Sequence, residues 1–168
     1  MTLPPSDPAV SIPPDASARL LDGLRQETAE TVRFAILLED EARTLETGEP
    51  PEALQALAAR KTEAAARLAE LAARRDALLA GLGLPAGREG VGRAARGDAG
   101  LARAWSQLCD VSERARGLNL RNGTLIDTHL RHVRRSLEIL HGVAGTGRVY
   151  DAKGRHRPLG GGKAIAAT

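Results

Sequence analysis

Small apolar and hydroxyl side chains recur every seven residues through the first third of the chain, and that spacing limits the fold more than any other feature. Leu21, Thr28, Ala35 and Ala42 form one series, and Leu24, Thr31, Leu38 and Leu45 form the other. Two interleaved series of this kind mark the a and d positions of a helix that packs along another helix for nearly four heptads. The residue types agree. Of the 168 residues 42% are hydrophobic, and 30 of these are Ala and 24 are Leu. Seven Val, five Ile and three aromatics (Phe34, Trp105 and Tyr150) supply a β-sheet poorly. Helices at close approach suit an Ala/Leu/Arg/Glu-rich chain.

The seams place the elements. A helix capped by Asp15 or Ser17 is expected over residues 16–47, stopped by Gly48 and the Pro50–Pro51 pair. Pro51 suits the first turn of a second helix over 52–80, where Leu57, Ala64, Leu71 and Leu78 repeat the spacing. A connection this short makes the two antiparallel. Lys61 and Arg75 interrupt a neighbouring register, and their stems are expected to cover apolar surface while their charges stay in water. Residues 81–100 contain seven Gly and read as a flexible connector; neither a preceding strand nor a Gly-Lys-Ser/Thr makes them a phosphate loop. A third helix is expected over 101–141, with its stripe running from Leu101 and Trp105 to Leu137 and Leu140. Asn122–Gly123 is a turn signal, but the stripe keeps its phase on both sides and argues that the helix passes through. A Pro-rich leader over 1–15 and a Gly-rich, basic tail over 142–168 are expected to be disordered. The whole reads as all-α: one helical domain over 16–141, a long antiparallel hairpin plus a third long helix in an elongated, coiled-coil-like bundle.

Charge and chemistry narrow the function. The net charge is +3, but residues 1–80 carry 9 Lys/Arg against 14 Asp/Glu and residues 81–168 carry 15 against 7. Such asymmetry fits a nucleic-acid surface, an acidic partner, or two halves that attract one another. The single Cys109 excludes an internal disulfide framework and a zinc cluster. Without a signal-like start or a run of about 18 apolar residues, the expected compartment is the cytoplasm. His129 and His132 lie three apart, but Asp127 is turned about 200° from His129 on a helix, so no metal is expected. Glu39–Asp40–Glu41 reads as a solvated face. No nucleophile is paired with a base, so neither catalysis nor a cofactor is expected. Nucleic-acid binding through Arg114, Arg116, Arg121, Arg131, Arg134 and Arg135 is the rival reading, weakened by the lack of stacking aromatics apart from Tyr150. Asn119 and Asn122 are the oddity, since amides on an apolar stripe are costly to bury unpaired. They either bond across the bundle or receive an incoming segment.

The block LNLRNGTLIDTHLRHVRRSLEIL, residues 118–140, followed by YDAKGR and GGK, resembles the carboxyl-terminal signature of the FlgN family of flagellar export chaperones. The stretch from Lys61 to Gly83 looks like the family's second helix, and Trp105 matches an aromatic or apolar position early in the third. Asp151 departs from the Gly that many members have after the Tyr, and the leader and connector are longer than usual. The resemblance implies a cytosolic, non-catalytic chaperone of flagellar type III export. Such a protein holds hook–filament junction proteins by their carboxyl-terminal amphipathic helix and presents them at the export gate. The incompletely covered third helix is where that client helix is expected to lie, received by Asn119, Asn122, Leu125, Ile126, Val133, Leu137 and Leu140. Carried over by position, the family's tail tyrosine, which docks on the cytosolic domain of the gate's membrane protein, is Tyr150. No nucleic acid, membrane insertion, metal or cofactor is implied, and the resemblance leaves open whether the free chaperone masks its groove as a homodimer.

Overall fold

The computed structural model describes residues 12–48 and 50–145, and their regular structure is helical throughout. Four helices follow in order: α1 (Pro14–Thr47), α2 (Pro51–Gly81), α3 (Gly87–Ala95) and α4 (Ala99–Gly145). The leader up to residue 11 and the tail from residue 146, including Tyr150, lie outside the described residues. Two compact units emerge, Met1–Leu125 and Ile126–Thr168.

In the first unit, α1 and α2 run antiparallel. Contacts rise along one helix as they fall along the other: Arg75 meets Glu27, Arg67 meets Glu30 and Lys61 meets Glu41. Leu37, Leu57 and Ala64 pack together between them. The small Ala64 lets the backbones approach, as the seven-residue spacing requires. Both α1 seams are inward: Leu24, Thr31, Ala35, Leu38, Ala42 and Leu45 are buried, and Leu21 and Thr28 are half-buried. The expectation that Arg75 keeps its charge in water is corrected, whereas Lys61 stays part-exposed beside Glu41. Arg75 is 9% exposed and is bonded through Nη1 to both Glu27 oxygens at 2.7 Å. Neither Asp15 nor Ser17 caps α1, which begins with Pro in its first turn. Ser17 instead donates to Asp98, whose other oxygen accepts from the Gly100 and Leu101 amides and so caps α4.

α4 returns parallel to α1. Ser17 pairs with Asp98, Ala35 packs near Ala115, and Arg121 reaches Glu46, so numbers rise together along both helices. The main core lies where α1 begins, built from Leu20, Leu24, Leu79, Val91, Leu101 and Leu108 with Trp105 against it. The flexible connector expected over 81–100 is corrected by α3, whose Val91 and Ala94 are buried in this core. Here the glycines serve tight folding. Gly83 and Gly87 have φ of 69° and 70°, which L side chains rarely adopt. A Cβ on Gly90 would come within 1.7 Å of the Pro85 carbonyl oxygen. Asp76 fixes the start of α3 by accepting from the Gly87 amide at 3.0 Å.

α4 is continuous through Asn122 and Gly123, and helical residues extend past 141 to Gly145. The turn chemistry of Asn-Gly is overridden because Asn122 is held inside the first unit by side-chain bonds that need helical geometry at that position.

Candidate functional site

The seven residues expected to receive a partner divide between the two units. Asn119, Asn122 and Leu125 belong to the first, and Ile126, Val133, Leu137 and Leu140 to the second.

In the first unit the two asparagines part company. Asn122 is 0% exposed and its Nδ2 donates to the Leu38 carbonyl at 2.7 Å and to Glu41 Oε2 at 2.8 Å. Its Oδ1 is buried without a partner. Glu41 also takes Lys61 Nζ on both oxygens, at 3.0 and 2.9 Å. The amide therefore ties α4 to α1 beside an α1–α2 ion pair, and the bundle reading of Asn122 describes what it does here. Asn119 is exposed, and its Oδ1 accepts from Lys61 Nζ at 3.4 Å. Leu125 is half-buried.

Each member of the acidic triplet has a basic partner, with the Glu39 and Asp40 pairs at the solvated surface and only Glu41 buried. Glu39 binds Arg114, Asp40 binds Arg43, and Glu41 is buried in the node just described. Arg121 is bound to Glu46 at 2.6 Å, so two of the arginines that suggested a nucleic-acid surface have carboxylate partners on α1. The charge asymmetry allowed for two halves that attract one another, but the partners could not be read from spacing, since the parallel register of the two helices is not written locally. Two neighbouring glutamates titrate in opposite senses. Burial pushes the Glu27 carboxyl above its ordinary range despite Arg75, whereas hydrogen bonds from Arg67 and Arg33 hold Glu30 below it. The Glu27–Arg75 pair also borders an open groove of about 750 Å³ lined by Arg88, Trp105, Cys109 and Arg116.

In the second unit, Ile126 is half-buried and every residue from Asp127 to His141 is exposed. Val133, Leu137 and Leu140 are 53%, 48% and 64% exposed, and Leu130, which the sequence reading passed over, is 47% exposed. The step from Ile126 to Leu130 is the i, i+4 signal that identifies it. At 100° per residue, Leu130, Val133, Leu137 and Leu140 share an arc of about 80° on one helix face. Arg131 and Arg135 fall on the other side, where they border a shallow depression of about 540 Å³ with Thr128, His132, Arg134 and Glu138. Among the described residues no cluster of three His, Cys, Asp or Glu is placed to hold a metal. No helix among them is long and apolar enough to cross a membrane. The arrangement offers contact surface.

A family profile described as FlgN protein matches residues 16–158, almost all of the 168-residue chain. The chain belongs to the FlgN family. FlgN proteins are flagellar export chaperones, a non-enzymatic family, and the FlgN match takes in α2, α3, α4 and nearly all of α1. No curated protein and no solved structure matches the chain.

Proposed function

We propose that this FlgN-family chain holds the carboxyl-terminal helical segment of hook–filament junction proteins in the cytoplasm and delivers them to the type III export gate. The observation that carries the reading is the apolar stripe of Val133, Leu137 and Leu140, joined by Leu130, on a helical stretch exposed over its whole circumference. Apolar side chains at three- and four-residue spacing, left uncovered by the other described residues, suit the apolar face of a second amphipathic helix. Ile126 lies one heptad before Val133 and continues the series. Asn119, exposed in the first unit, remains a polar contact for a client, while Asn122 is assigned to holding α4 on α1. Tyr150, the lone aromatic of the basic tail sequence, is the proposed anchor on the cytosolic domain of the gate's membrane protein.

Calorimetry with a junction protein's carboxyl-terminal helix tests the client site. Leu137→Asp is expected to abolish binding while the protein stays folded, since a charge facing an apolar helix is left desolvated. Tyr150→Ala is expected to leave client affinity intact and to weaken gate-domain binding by about 1–3 kcal/mol, the range of an aromatic anchor. Unchanged client affinity in Leu137→Asp would put the client elsewhere, and equal loss of both partners in Tyr150→Ala would make the tail part of the client site.

A further inference from the structure

The helical stretch 126–141 has a second property that client holding does not use. From Ile126 to Thr168 the sequence carries eight Lys/Arg against three Asp/Glu, whereas up to Leu125 it carries 16 against 18. The excess positive charge is thus concentrated in the unit that also exposes the apolar stripe. On the helix itself Arg131 and Arg135 lie opposite the stripe and Arg134 lies on its flank, all three exposed; the exposed Asp127, Glu138 and Ile139 also lie outside the stripe, so residues 126–141 by themselves carry a net charge of +1. Among the described residues the stripe has no walls, because its neighbours on both sides are exposed too. An apolar strip flanked and backed by long cationic side chains, with Ile139 the one large apolar group on the other face, matches the boundary between lipid headgroups and acyl chains, which needs no pocket.

We infer that residues 126–141 adsorb as an interfacial amphipathic helix on an anionic bilayer surface. Sixteen helical residues lie flat over about 24 Å. Leu130, Val133, Leu137 and Leu140 enter the acyl boundary, and the guanidinium groups of Arg131, Arg134 and Arg135 reach lipid phosphates, for which Arg's paired donors are suited. Neither signal suffices alone: stable adsorption takes an apolar face together with a basic segment, and Arg148, Lys153, Arg155, Arg157 and Lys163 extend that segment in sequence. The adsorption stands independently of the client reading. Where both hold, client and bilayer compete for one stripe, so the membrane-bound chain is the empty chaperone.

Flotation of the full-length protein with phosphatidylcholine vesicles and with equimolar phosphatidylcholine/phosphatidylglycerol vesicles tests this. Binding is expected only to the anionic vesicles, falling on the order of tenfold or more as salt rises and in both Leu137→Ser and Arg131→Glu/Arg135→Glu. Leu137→Trp in a Trp105→Phe background should shift its emission to the blue on anionic vesicles alone. No flotation overturns the proposal. So does binding that survives Leu137→Ser without a blue shift, which would mean attraction by the basic residues alone. Salt-sensitive retention on duplex DNA at least as strong as on the vesicles, and indifferent to Leu137→Ser, would overturn it in favour of a nucleic-acid surface. Flotation that persists when the client peptide shows no binding leaves the adsorption standing and removes the client reading.

Discussion

Asn122 shows how one side chain fixes the relation of two helices. Leu38 sits at a d position of α1 with its side chain fully buried, and its carbonyl and the nearby Glu41 carboxylate accept from the same Asn122 amide nitrogen. An apolar residue would leave Glu41 with Lys61 as its remaining partner in a buried setting. Removing a buried donor costs the desolvation of the groups it served, about 1–3 kcal/mol. Asn122→Ala should therefore lower the unfolding free energy by about 1–3 kcal/mol in urea titration. The exposed Asn119→Ala should stay within about 0.5 kcal/mol of the wild type. Equal effects of the two substitutions would show that the buried node does not distinguish them. The sequence marked both residues as costly on an apolar stripe but could not separate them. They differ only in which neighbour the helix turns them toward.

At the scale of the element, α3 is the instructive case. Seven glycines in twenty residues read as looseness, yet Gly83 and Gly87 supply left-handed turns and Gly90 lets the new helix sit against the Pro85 carbonyl. A methyl at Gly90 meets backbone on one side and Leu79 Cδ1 at 3.1 Å on the other, so α3 has to shift away from the core it helps to close. Gly90→Ala should destabilise the first unit by about 1–3 kcal/mol, as overpacking does. Gly92→Ala, where a Cβ meets nothing within 4 Å, should be neutral or slightly stabilising through helix propensity. Thermal unfolding followed by circular dichroism compares the two. A Gly90→Ala midpoint at or above the wild-type value would show that α3 is free to move.

At the scale of the whole molecule, buried charge makes stability depend on pH in two directions. Glu30 and Asp98 are held below the ordinary carboxylate range by hydrogen bonds, so their contribution is present above that range and is lost as pH falls through their depressed values. Glu27 is raised by burial, so its contribution is complete below the ordinary range and is lost as pH rises through its raised value. Urea midpoints measured from strongly acidic to neutral pH should thus rise and then decline slightly. Glu30→Gln should flatten the acid limb and Glu27→Gln should remove the decline. A Glu27→Gln profile parallel to the wild type would mean that Arg75 fully compensates the buried charge. What the sequence determined was the periodic part, three long helices and the antiparallel pairing of the first two, because seven-residue spacing is a property of neighbouring residues on one helix; for Asn122–Gly123 it set a turn signal against the stripe's phase, and the packed helix decided between them. Tertiary structure decided the rest. That Arg75 is enclosed against Glu27 and Lys61 paired with Glu41, that Arg114 and Arg121 answer glutamates of α1, that the glycines build α3, and that Asn122 is enclosed while Asn119 is not all depend on residues far apart in the chain. Their energies are set by distance and desolvation, which exist only once the helices have met.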